Sequence, residues 1–168
     1  MKYSIKTLIF SSGLLLFVAS SCSKDDSEGD TELFKEGGPF EFSELAGNWE
    51  ATGALFLRPF SNLGGAEIIG DGGSVSLTVQ NNGKCTFTID PFDCEAYTES
   101  GEMFWELYEG DYYFAIKWDA YPDDWATYGA THTDTTFFMN GGSDAGEYDF
   151  DNDGTSESAG LNFAFIRI

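Results

Sequence analysis

Ser74-Val75-Ser76-Leu77-Thr78-Val79 runs into Asn81-Asn82-Gly83, and Cys85, Phe87 and Ile89 follow at every second position. Val75, Leu77 and Val79 alternate with Ser74, Ser76 and Thr78. That period of two puts all apolar side chains on one face of a half-buried strand. Asn and Gly accept positive φ, so Asn81-Asn82-Gly83 turns the chain back and a hairpin results.

The same pattern continues on both sides. Trp49 to Leu57 reads as the first strand. Met103, Trp105 and Leu107 mark another, Glu109-Gly110-Asp111 turns it, and Tyr112, Phe114, Ile116 and Trp118 line the return. Thr135 to Met139 and Leu161 to Ile168 are two more. Seven to nine short strands are expected in all, with turn signals between most of them. The chain is therefore all-β: a single antiparallel meander closing as a barrel, with a β-sandwich as the alternative. Closure also hides strand edges that such aromatic strands would otherwise offer for aggregation. One helical turn is expected at Ser43-Glu44-Leu45, with Ser43 as its cap.

Leu45-Ala46-Gly47-Asn48-Trp49 resembles the Gly-x-Trp signature that opens the first strand of lipocalin-like barrels. The resemblance implies that Trp49 closes one end of a lipocalin-like β-barrel and that Arg167, on the last strand, packs across it. A guanidinium on a desolvated indole face contributes about 2 kcal/mol. Gly47, Trp49 and Arg167 are thus a structural signature. The hairpin at Val75–Phe87 and the segment Asp149–Thr155 also look like parts of bacterial lipocalin-like lipoproteins.

The amino terminus reads differently. Lys2 and Lys6 precede an apolar run from Leu8 to Ala19, and the small residues Ser20 and Ser21 lead into Cys22. Residues 1–21 are expected to be a signal peptide, since the run falls short of the ~20 apolar residues of a membrane span. Val18-Ala19-Ser20-Ser21-Cys22 resembles a bacterial lipobox, which implies cleavage before Cys22 and lipidation of its thiol and amine, including a palmitate-type acyl chain. Ser23-Lys24-Asp25-Asp26 resembles a surface-export signal of Gram-negative outer-membrane lipoproteins. Residues 22–40 are expected to be a disordered acidic tether, and 41–168 the barrel.

The signal removes two of 8 basic residues and none of the 29 acidic ones, so the mature chain carries 6 − 29 = −23 formal charges. Such a surface repels nucleic acid and excludes that class of partner. Exported chains keep disulfides, and Cys85 and Cys94 flank Asp90-Pro91-Phe92-Asp93, which reads as a turn, so a bridge between them is expected.

Two segments could carry chemistry. Asp149-x-Asp151-x-Asp153-Gly154-x-x-Glu157 spaces carboxylates as calcium loops do: Asp149, Asp151 and Asp153 would supply oxygens, Thr155 a carbonyl and Glu157 a direct or water-bridged ligand. Its twelfth position is Gly160 rather than a bidentate Glu, and Asp-Asn-Asp-Gly is good turn chemistry by itself. In Tyr121-Pro122-Asp123-Asp124-Trp125-Ala126-Thr127-Tyr128, the aromatics Tyr121, Trp125 and Tyr128 could stack on a ligand, or could simply lid the core. Catalysis lacks support: His132 is the only histidine, no Gly-x-Ser-x-Gly elbow occurs, and 29 acidic residues make chance carboxylate pairs unavoidable.

The expected role is therefore non-enzymatic: an exported, lipid-anchored outer-membrane protein at the cell surface that binds a small apolar ligand in the barrel or a protein partner at its rim. The alternatives are a surface carbohydrate-binding accessory protein, and a structural or inhibitory barrel filled by its 16 phenylalanines and holding no ligand.

Overall fold

A computed structural model describes residues 32–59 and 64–168. The expected signal peptide, Cys22 and the expected tether up to residue 31 lie outside the described residues. The strands are β1 (Leu33–Phe34), β2 (Gly47–Leu57), β3 (Gly65–Glu67), β4 (Ser74–Val79), β5 (Lys84–Asp90), β6 (Tyr97–Tyr108), β7 (Asp111–Trp118), β8 (Ala126–His132), β9 (Thr136–Tyr148) and β10 (Glu157–Arg167), with one helical turn, α1 (Phe42–Leu45).

Eight of these strands close on themselves. β2, β4, β5, β6, β7, β8, β9 and β10 each pair antiparallel with the next, and β10 returns to pair with β2. This is the closed antiparallel meander that the alternation predicts, and the closure excludes the sandwich. β3 folds back onto β2, and β1 pairs with the end of β6 that β5 leaves free, at Trp105 and Glu106. The hairpin that decides the fold has its expected register, with Val75 opposite Ile89, Leu77 opposite Phe87 and Val79 opposite Cys85. All six side chains are buried.

The interior is packed, not hollow. Phe87, Phe137 and Phe165 meet with ring centroids near 6 Å, and Trp49, Phe114, Met103 and Met139 fill the remaining layers. Fully burying a side chain of this size contributes roughly 1.5–3 kcal/mol. One end is closed by α1. There Trp49 donates from Nε1 to the Leu45 carbonyl at 2.7 Å, and Arg167 lies 4.2 Å over the Trp49 ring. Arg167 also donates to the carbonyls of Ala46, Glu44 and Asp134. Gly47 has φ +137°, and a Cβ there would stand 3.1 Å from the Arg167 guanidinium. The signature glycine is required by conformation and by space.

Four expectations need correction. The barrel unit begins earlier than residue 41. Leu33 and Phe34 pair with Glu106 and Trp105, Lys35 bridges Glu102 at 2.8 Å, and Phe40 is buried with its ring 4.7 Å from that of Trp105. This segment straps the closed end because Phe40 and Phe42 supply apolar surface that a polar tether lacks. The helical turn is capped by Glu41, not Ser43, with the Glu41 N–H donating to the Glu44 carboxylate at 2.8 Å. Cys85 and Cys94 are both free thiols. Strand β5 continues extended to Asp90, carrying the chain roughly 17 Å beyond Cys85 before it turns. Cys85 points into the core, whereas Cys94 is exposed and donates to Asn152 Oδ1 at 2.9 Å. The fourth correction concerns Tyr128, at the opposite end of the barrel.

Candidate functional site

The end away from α1 is open. The last inward residue of β7, Trp118, packs edge-on against Phe87 and stays half-buried. On β6, Glu99 stands opposite Phe87. Cross-strand partners share a face of the sheet, so Glu99 faces inward above the core. The loop 119–125 crosses this mouth, and the ends of β9 and β10 form its far wall.

Strand β9 makes the room. Gly141 pairs with Leu161 and Gly146 with Ala159. Four residues on β9 therefore span what one residue spans on β10, which is a large β-bulge. Bulges bend a strand away from its partner, and in this one Asp144 is exposed while Ala145 stays buried against the core. Tyr128 holds the bulge. It pairs with Gly141, is buried, and donates from its hydroxyl to the Ala145 carbonyl at 2.7 Å. Burial moves its phenol well above the ordinary tyrosine range. Tyr128 is thus a core residue that props the wall, not an exposed ligand-stacking one. Strand β8 swings it inward, because Ala126, Tyr128, Ala130 and His132 share one face.

The result is a cavity of about 480 Å³. Its walls are Trp118 and Tyr121, the carboxylates Glu99, Asp119, Asp124, Asp144 and Glu147, and small residues including Ala126, Ala145 and Ser158. Directly below it lies a void of about 30 Å³, reaching down between Phe56, Phe87, Met139 and Phe163 and sharing Glu99, Trp118 and Glu147 with the cavity above. Tyr121 is 54% exposed and its hydroxyl donates to Glu147 Oε2 at 3.3 Å. Trp125 borders the cavity, but its Nε1 donates to Glu106 Oε2 at 3.1 Å, which pins the indole toward β6.

The site is electrostatically one-sided. Glu99 is accessible at the lip, yet the crowded wall strips part of its hydration. That desolvation raises its carboxyl pKa, and the negative charge of Glu147 raises it further. Glu147 likewise raises the Tyr121 phenol, by its charge and then by the hydrogen bond. Neither Glu99, Glu147 nor Trp118 stands out in the sequence. Trp118 is visible as the last member of the β7 alternation, but the placement of Glu99 depends on the β5–β6 register.

The acidic loop sits beside this mouth, between β9 and β10. Asp149, Asp151 and Asp153 bring one oxygen each within 4.8 Å of one another. Asp149 accepts from the Asp153 N–H at 3.2 Å and the Gly154 N–H at 2.7 Å, and Asp153 accepts from the Thr155 N–H at 2.8 Å. Desolvation acts to raise the Asp149 pKa, but the backbone donors of residues 151–154 outweigh it and hold the carboxyl below its ordinary value. Glu157 points elsewhere, accepting from the Phe150 N–H at 3.0 Å. The expected ligand set is therefore only partly assembled. His132 lies at the closed end, 4.3 Å from the Phe40 ring and 3.4 Å from Glu44, as a packing residue.

No family model and no curated protein matches this chain. Among solved structures, a redesigned beta barrel is 13% identical over 76% of this chain and 94% of its own, with a TM-score of 0.39. Lobster apocrustacyanin A1 is 15% identical over 74% of this chain and 61% of its own, also with a TM-score of 0.39. The closed meander rests on the strand pairing described above.

Proposed function

We propose that the chain is a non-enzymatic binding protein whose site is the mouth cavity rather than the barrel interior. The contrast between the two voids carries this reading. The void reaching into the aromatic core holds about 30 Å³, too little for any organic ligand, whereas the mouth holds about 480 Å³. The larger volume lies in the range of small-molecule sites. Trp118 supplies a ring face for stacking and Tyr121 a second aromatic edge. Titration of small ring compounds into the protein by calorimetry tests the reading. Trp118→Ala should weaken binding at least tenfold without changing the far-ultraviolet spectrum; unchanged affinity in that variant would refute the site.

The lipobox resemblance at Cys22 supports export to the outer membrane and display at the cell surface. Two or more acyl chains anchor stably, since each buried CH₂ contributes ~0.8 kcal/mol. Cys22→Ala should move the protein from the membrane to the soluble fraction, and its retention in the membrane would contradict the anchor.

The convergence of Asp149, Asp151 and Asp153 supports a second, weaker site for calcium that staples the β9–β10 loop. A calcium titration heat that disappears in Asp151→Ala is the expected result. A heat-silent titration at millimolar calcium removes the proposal.

A further inference from the structure

We infer that the ligand of the mouth cavity is an organic cation: a small ring- or alkyl-bearing amine. The inference rests on the binding reading above and adds the ligand's charge. Every titratable acid–base side chain on the cavity wall except the Tyr121 phenol is a carboxylate, namely Glu99, Asp119, Asp124, Asp144 and Glu147, with no Lys, Arg or His among the lining residues. An anionic ligand is repelled from all sides. A neutral ligand would cover the inward-facing Glu99 and take away its remaining water, and an ionised carboxylate buried without a partner is costly. An ammonium group removes that cost, because it offers N–H donors and a counter-charge to Glu99 and Glu147 together. Trp118 and Tyr121 add ring faces suited to cation–π contact.

The same carboxylates suit a metal ion less well. Among the described residues, the only group of three or more acidic, His or Cys side chains with ligand atoms within 4.8 Å of one another is Asp149, Asp151 and Asp153. The cavity carboxylates are spread around a volume of about 480 Å³ instead, matching an extended organic cation.

The test uses three indole probes of similar size and different charge on the full chain in nonionic detergent: tryptamine, indole-3-acetamide and indole-3-acetate. Calorimetry should give tryptamine at least tenfold tighter binding than the amide, and no measurable binding of the acid. Tryptamine affinity should fall severalfold between 50 and 500 mM salt, because surface charge is screened. Glu99→Gln and Glu147→Gln should each remove most of the preference for tryptamine and leave amide binding unchanged. Equal binding of tryptamine and amide would overturn the cationic inference while leaving the cavity reading intact. Calcium that binds in a Glu99-dependent manner and excludes tryptamine would likewise overturn the organic-cation inference and leave the cavity as the site, whereas if no probe binds the cavity reading falls with it.

Discussion

Arg167→Ala removes the clasp that closes the barrel at α1. The guanidinium lies 4.2 Å over the Trp49 ring and donates to three carbonyls, those of Glu44, Ala46 and Asp134. These groups belong to the α1 turn, the residue linking it to β2 and the β8–β9 loop, so one side chain ties three places in the chain to the last strand. A cation–π contact contributes about 1–2 kcal/mol when partly desolvated, and each hydrogen bond about 1 kcal/mol net. Arg167 is half-buried and the freed carbonyls regain water. With that discount the loss is about 2–3 kcal/mol. A domain of this size has a urea m-value of about 2 kcal/mol/M, so the midpoint should fall by about 1 M or more at unchanged m. Arg167→Lys should recover less than half, because an ammonium lacks the planar fork that reaches three carbonyls. A loss below 0.5 kcal/mol, or full rescue by lysine, would refute the clasp.

Three further outcomes follow from the same geometry. Tyr128→Phe deletes the buried hydrogen bond to Ala145 and should cost about 1–2 kcal/mol in urea unfolding; a neutral result would show that the bulge does not depend on it. Cys94 should react with a thiol reagent in the folded protein at once, whereas Cys85, whose thiol burial pushes up to about 12, should react only on unfolding; an intact-mass measurement showing a disulfide would contradict this. Glu99 has its pKa raised by desolvation and by Glu147, so its charged form is disfavoured in the folded state. Its contribution to stability is therefore present below the unfolded pKa and lost as pH rises through the folded one. Glu99→Gln should accordingly raise the melting temperature at pH 7 slightly, by an amount within the ~1 kcal/mol typical of accessible charges, and make no difference near pH 3; a lower melting temperature at pH 7 would show that Glu99 is satisfied there.

How far the sequence reaches depends on which faces are apolar. β4, β5 and β7 are plain in it, because their inward positions hold Val, Leu, Ile, Phe and Trp. β8 is not, since its inward set is Ala126, Tyr128, Ala130 and His132, mostly small or polar, and the loop reading of Tyr128 followed from that. β6 shows from Met103 onward, but its first turn of pleat, Tyr97 to Gly101, is missed because Glu99 and Gly101 occupy inward positions. That polar stretch is the cavity wall. Local rules fail there because an inward carboxylate at a barrel mouth contributes to a site and not to a core. The Cys85–Cys94 bridge fails for a simpler reason: Asp90-Pro91 looks like the turn of a short loop, yet Cys85 lies at the far end of a full strand. Gly47, Trp49 and Arg167 are legible together only through the Gly-x-Trp resemblance; the structure supplies its physical basis in a glycine at positive φ and an indole covered by a guanidinium.

The most direct test is a chemical-shift titration of the isotope-labelled full chain with tryptamine. The account predicts saturable shifts at Glu99, Trp118, Tyr121 and Glu147, with Trp49, Phe137 and Phe165 at and above the closed end unmoved. Shifts centred on the closed end, or none at saturating tryptamine, would contradict it.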